Sequence, residues 1–126
     1  MEYNKKILIV DDNEDYLVVL DEYLTKQGYD VVCCYDGKDG QEKFAEFLPD
    51  IVVTDIVMPN VDGIELLLSL RKINPEISVI AMSGGNRGYA GSYLQMAEKL
   101  GANVILNKPF ELSTLLEEIK KIELGQ

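Results

Sequence analysis

"DIVVTDIVMPNVDGIELLLSL", residues 50–70, holds a complete structural unit. An apolar run rich in Val and Ile ends on a carboxylate, Asp55. A loop with Pro59 and Gly63 follows, and then a Leu-rich segment with helical spacing. A buried strand, a loop and an amphipathic helix in that order are one step of an alternating α/β fold.

The same step recurs along the chain. Short runs long enough for strands buried on both faces occur at "KILIVD" (6–11), "YDVVCCY" (29–35), "DIVVTD" (50–55), "SVIAMS" (78–83) and "NVILNK" (103–108). Helical stripes lie between and after them. Leu17, Leu20 and Leu24 form the first, and Ile64, Leu67 and Leu68 the third. Ala90, Leu94 and Ala97 form the fourth, and Leu112, Leu115, Leu116 and Ile119 the last. The second helix, roughly 37–47, has the weakest stripe: Phe44, Ala45, Phe47 and Leu48. Asn13 is placed to cap the first helix and Gly28 to end it. "DGIE", Asp62 to Glu65, reads as an Asp variant of the capping box. Pro49, Pro75 and Gly101 close the second, third and fourth helices. Five strands alternating with five helices predict a doubly wound parallel sheet with helices on both faces.

Composition narrows the function. The 126 residues suit one domain, and 47% hydrophobic residues suffice for a core. A formal net charge of −10 argues against direct binding to nucleic acid or insertion at an anionic membrane. No apolar run approaches the ~20 residues of a membrane span, and the N-terminus is too acidic for a signal peptide. Cys33 and Cys34 are adjacent on a strand and point to opposite faces, which disfavours a disulfide. With two Cys and no His, a Cys/His zinc site lacks ligands. Buried thiols in a reducing cytoplasm are the expected state.

Open parallel sheets bind ligands beyond the carboxyl ends of their strands. Here those ends carry Asp11 and Asp12, Asp55, Ser83 before Gly84–Gly85, and Lys108 before Pro109. Three carboxylates brought together repel, so cations are needed. Lys108 is one, and a hard divalent ion such as Mg²⁺ suits the remainder. Such a site can accept a phosphoryl group on a carboxylate nucleophile, with metal and Lys108 spreading the transition-state charge. Asp55, on a central strand between the Asp11/Asp12 pair and Ser83, is the nucleophile this layout favours.

"IVDDNEDY", "VVTDIVMPNVDGIELL", "AMSGG" and "LNKPF", in this order over essentially the whole chain, resemble the receiver domain of two-component response regulators. The resemblance implies a (βα)5 flavodoxin-like fold of strand order 2-1-3-4-5, and one receiver domain over residues 1–126 with no output domain. It implies a phosphorylation-dependent switch rather than an enzyme, although such a domain catalyses its own phosphorylation and dephosphorylation. Asp55 would take the phosphoryl group from a sensor histidine kinase or histidine phosphotransfer protein and change binding to a downstream protein. Asp12, Asp55 and the backbone carbonyl of Val57 would ligate Mg²⁺, with Asp11 acting largely through a bound water. Lys108 would pair with phosphoryl oxygens, with a cis bond to Pro109, and the Ser83 hydroxyl would turn inward as the switch.

Three departures from the family pattern carry expectations. Ile105 stands where many members have Tyr or Phe, which removes a ring flip and shifts the readout to residues 84–95. Val57 and Gly85 stand where fast-dephosphorylating members place polar groups, so slow loss of phosphate is expected. Tyr16 and the outer face of the first helix read as either a kinase-docking face or plain surface, and Glu111, Glu117 and Glu118 as the solvated face of the last helix.

Other classes fit less well. A Mg²⁺-dependent Asp-nucleophile phosphohydrolase, the main alternative, needs an Asp where Val57 stands. A flavodoxin-like electron carrier needs a phosphate loop where "DDNEDY" is acidic, and an EF-hand needs Gly where Tyr16 stands.

Overall fold

The computed structural model describes residues 5–56, 63–84, 95, 98–99 and 101–125. Its strands are β1 (Lys6–Val10), β2 (Asp30–Cys34), β3 (Ile51–Asp55), β4 (Ser78–Ser83) and β5 (Val104–Asn107). Its helices are α1 (Glu14–Lys26), α2 (Gly37–Phe47), α3 (Gly63–Ile73) and α4 (Leu112–Glu123). The strands are all parallel in the order β2-β1-β3-β4-β5. The fourth of the five expected helices, with its stripe at Ala90, Leu94 and Ala97, lies outside the described residues, although Gln95, Glu98 and Lys99 are helical. Asp62 of the expected capping box also lies outside them.

Alternation along β1 splits the core into two layers. Leu8 and Val10 pack with Phe44 of α2 and Ile64, Leu66, Leu67 and Leu70 of α3. Ile7 and Ile9 pack on the opposite face with Leu17, Leu20 and Leu24 of α1 and Leu115 and Ile119 of α4. A strand covered on both sides must be apolar at successive positions, which is why β1, β3 and β4 lack the alternation of a half-exposed sheet. The edge strands β2 and β5 are only half-buried along most of their length, short of the two-faced burial their sequences suggest. Each has a neighbour on one side only. Cys33 and Cys34 are free thiols that join opposite layers, as the pleat requires.

Caps fix the helix boundaries. The Asn13 side chain accepts the Tyr16 backbone N–H at 3.1 Å, and α1 begins. At its other end Tyr29 donates to the Leu24 carbonyl and Gly28 to the Thr25 carbonyl, with Gly28 at φ +99°. That pair of bonds is a Schellman motif, and its left-handed residue is a glycine. Asp36 caps α2 by accepting the Asp39 N–H at 2.8 Å.

Two stripes differ from the sequence expectation. In α2 only Phe44 of the four predicted residues is fully buried, with Phe47 half-buried and Ala45 and Leu48 exposed. The helix instead buries Gly37 and Gly40, because its backbone runs close to the sheet. A Cβ on Gly40 would lie 3.1 Å from the Val10 side chain. In α3 Leu68 is 45% exposed, while Leu66 and Leu70 are buried. A helix this rich in Leu has more apolar residues than its buried face can hold.

Candidate functional site

From β1 the sheet grows to β2 on one side and to β3, β4 and β5 on the other. The strand order therefore reverses between β1 and β3, and Asp11, Asp12 and Asp55 all lie at the carboxyl ends of those two strands. The Asp11 N–H donates to the Cys34 carbonyl at 3.1 Å, which carries the β1–β2 ladder one residue past the strand. The Asp11 side chain is fully buried, and its Oδ1 accepts the Asn13 N–H at 2.9 Å. Asp55 ends β3 and is 1% exposed, whereas Asp12 is exposed. Ligand oxygens of the three carboxylates lie within 4.8 Å of one another.

Lys108 reaches this cluster from the far edge of the sheet. Its backbone N–H donates to the Ser83 carbonyl at 2.7 Å, which ties the ends of β4 and β5 together. The peptide bond from Lys108 to Pro109 is cis, as the resemblance implied. Lys108 Nζ donates to Asp11 Oδ2 and lies 3.6 Å from Asp55 Oδ2. Ser83 closes the row, buried at the end of β4 and paired with Asn107. Four of the five predicted side chains — Asp11, Asp12, Asp55 and Lys108 — are thus in one cluster, with Ser83 at the end of the strand beside Asp55. Val57, the expected backbone ligand, lies outside the described residues, as does Gly85.

Three carboxylates face one ammonium here, so the cluster keeps an excess of negative charge. The donor set is all oxygen, which suits a hard divalent cation. The oxygens of Asp11, Asp12 and Asp55 are close enough together that they would hold one such ion, directly or through a bound water. The residues present therefore fit that ion.

Two residues have roles here that the sequence did not assign to them. Tyr16 is half-buried and turned toward the cluster, not outward as a docking residue would be. Its ring meets Phe110 edge-on, 6.1 Å between centroids at 77°, and Lys108 Nζ lies 4.6 Å from its centroid. Burial, with the charges of Asp11 and then Asp55 behind it, pushes its phenol up to about 12, so it is neutral at physiological pH. The available signal was its place four residues before Leu20, at the margin of the buried stripe. Gly63 is the second. A Cβ there would lie 2.4 Å from the Asp55 carbonyl oxygen and 2.6 Å from Ile56 Cα. Its N–H donates to the Ile56 carbonyl at 2.7 Å, so α3 starts in direct backbone contact with the end of β3. A glycine at the start of a helix, where a residue with a side chain usually stands, was the sign of that close approach.

A doubly wound sheet with an acidic cluster and a lysine at its switch point defines a class, and comparison with known proteins gives the same one. Residues 7–120 match the response regulator receiver domain, and the chain belongs to that family. It is 35% identical over 119 residues to the chemotaxis protein CheY of Thermotoga maritima, covering 94% of this chain and 97% of that protein. The crystal structure of a CheY-like receiver domain protein from Methanospirillum hungatei superposes with a TM-score of 0.88 at 28% identity, covering 95% of this chain and 94% of that one. A signal receiver domain from Bermanella marisrubri gives 0.83 at 30% identity, covering 94% and 98%. The protein is therefore a receiver of two-component signalling, a phosphoacceptor switch rather than a conventional enzyme. Among the described residues no helix is long and apolar enough to cross a membrane.

Proposed function

We propose that this chain is a single receiver domain that takes a phosphoryl group onto Asp55 from a phosphohistidine, in a Mg²⁺-dependent step, and changes its affinity for a protein partner. The observation that carries this reading is the convergence of Asp11, Asp12, Asp55 and Lys108 at the switch point. Asp11, Asp12 and Asp55, with the Val57 carbonyl by resemblance, would hold Mg²⁺, which offsets their charge and that of the phosphoryl oxygens.

An Asp55 carboxylate oxygen attacks phosphorus as the bond to the donor imidazole breaks, and the imidazole takes up a proton as it leaves. Lys108, already 3.6 Å from that carboxylate, meets the negative charge that spreads over the phosphoryl oxygens. Asp11 anchors Lys108 from the other side and is itself oriented by the Asn13 N–H. The Ser83 hydroxyl, buried at the end of the strand beside Asp55, would donate a hydrogen bond to a phosphoryl oxygen and draw the following loop inward. Hydrolysis of the acyl phosphate resets the switch.

Intact mass after incubation with acetyl phosphate tests the reading. The wild-type chain with Mg²⁺ gains one phosphoryl group. Asp55→Asn gains none, and neither does the wild type in EDTA. Equal modification of Asp55→Asn would place the acceptor elsewhere. A free histidine phosphotransfer protein bearing phosphohistidine replaces acetyl phosphate in the physiological version, and loss of label from its histidine is the expected result.

A further inference from the structure

Lys108 has long rotatable torsions and is not fully enclosed, yet its ammonium sits within reach of two buried carboxylates. Asp11 anchors it on one side, and a second contact confines it on the other. Tyr16 is held by the Asn13 cap through its own backbone N–H. Its ring takes the Lys108 ammonium at 4.6 Å and the edge of Phe110 at 6.1 Å. Residues 108 and 110 thus lean on one ring from either side of the cis-linked Pro109. An ammonium within about 6 Å of a ring centroid is attracted by the ring quadrupole, more strongly where water is partly excluded. The tyrosine hydroxyl is buried and has no hydrogen-bond partner among the described residues, so the ring, not the oxygen, makes the contact.

We infer that Tyr16 is a positioning residue for Lys108: its ring face confines the ammonium over Asp55, keeping it in place to meet a phosphoryl group. The inference rests on the reading of Asp55 as the phosphoryl acceptor. It needs no contact between Tyr16 and the donor, the metal or the acyl phosphate.

The primary test uses the metal-free wild-type protein. In ¹H–¹³C spectra the Lys108 Hε resonances should lie upfield of the other lysines, shifted by the Tyr16 ring current. Tyr16→Phe retains that shift and Tyr16→Leu abolishes it. With acetyl phosphate and saturating Mg²⁺, the maximal phosphorylation rate falls about fivefold in Tyr16→Leu and is rescued by Tyr16→Phe. Phe110→Leu, which removes the edge contact but not the ring, gives an intermediate shift. Lys108 resonances at the ordinary lysine position in the wild type would overturn the inference without any variant. A rate for folded Tyr16→Leu equal to wild type would overturn it too, as would an equal loss in Tyr16→Phe, since the hydroxyl would then be the acting group. Failure of the underlying reading looks different: the wild type itself would not be modified at Asp55.

Discussion

Replacing Gly63 by alanine should damage both the fold and the site, and the structure sets the size of the effect. The new methyl would lie 2.4 Å from the Asp55 carbonyl oxygen. A normal carbon–oxygen contact needs about 3.3 Å, so the two backbones must part by roughly 0.9 Å. β3 yields little, because the Ile56 N–H is bonded to the Met82 carbonyl at 3.0 Å. The start of α3 must therefore move and stretch its 2.7 Å bond from the Gly63 N–H to the Ile56 carbonyl. Overpacking of this kind costs about 1–3 kcal/mol, and a weakened hydrogen bond adds about 1 kcal/mol. Alanine's helix preference returns about 0.5–1 kcal/mol, leaving a net loss of about 2 kcal/mol. For 126 residues that lowers the thermal midpoint by about 8 °C. Gly40→Ala is the control: the nearest atoms to its methyl would be side-chain atoms of Val10 and Leu66, at 3.1 and 3.5 Å, which can yield. Thermal melts followed by circular dichroism, with and without Mg²⁺, measure both. Gly63→Ala should also show a smaller Mg²⁺-induced rise in midpoint, because the displaced start of α3 loosens its bond to the Ile56 carbonyl, one residue from Asp55. A Gly63→Ala midpoint within 2 °C of wild type, or no lower than that of Gly40→Ala, would refute the close-contact argument.

Lys108→Ala leaves Asp11 and Asp55 buried without their ammonium, so in EDTA it should be less stable than wild type by about 3 kcal/mol, with Mg²⁺ restoring much of the loss in a denaturant titration. The thiols should resist alkylation: burial, with Asp39 adding to it, pushes Cys34 up to about 12, and burial with Asp21 pushes Cys33 up to about 11, from a usual 9.0. At pH 8 the thiolate fraction falls by about a thousandfold for Cys34 and about a hundredfold for Cys33, so iodoacetamide should react fast only in denaturant. The same shifts fix a pH dependence. The fold binds the thiol protons more tightly than the unfolded chain, so their contribution is intact below pH 9 and is lost as pH rises from 9 toward 12, a decline visible in urea midpoints. Phosphorylation should move amide resonances of residues 84–95 more than those of β5, where Ile105 packs into the α2–α3 core layer and has no ring to flip. The acyl phosphate should decay slowly, over minutes or longer after donor removal, and decay within seconds would contradict the expectation drawn from Val57 and Gly85.

The sheet was legible because its central strands must be apolar on both faces, and few other arrangements produce five such runs separated by helices. Strand order then placed Asp11, Asp55, Ser83 and Lys108 along one rim without any knowledge of side-chain geometry. Contacts made by backbone were harder to see. Gly40 and Gly63 carry no apolar signal, yet a Cβ at either would press on atoms at the end of a central strand. Leu68 looked like core because hydrophobicity alone does not say how wide a helix's buried face is, and α3 has leucines to spare. Tyr16 was hidden because its partners, Lys108 and Phe110, are distant in sequence and meet it only once α1 and the end of β5 are both in place.

Borohydride trapping tests the central claim most directly. An aspartyl phosphate is reduced to homoserine, so treating the protein with acetyl phosphate, Mg²⁺ and then borohydride leaves a permanent mark at the acceptor. Tandem mass spectrometry of the digest should find homoserine at position 55 and nowhere else, with the mark lost in EDTA. Homoserine at position 11 or 12, or at 55 in equal yield without a divalent cation, would contradict the account.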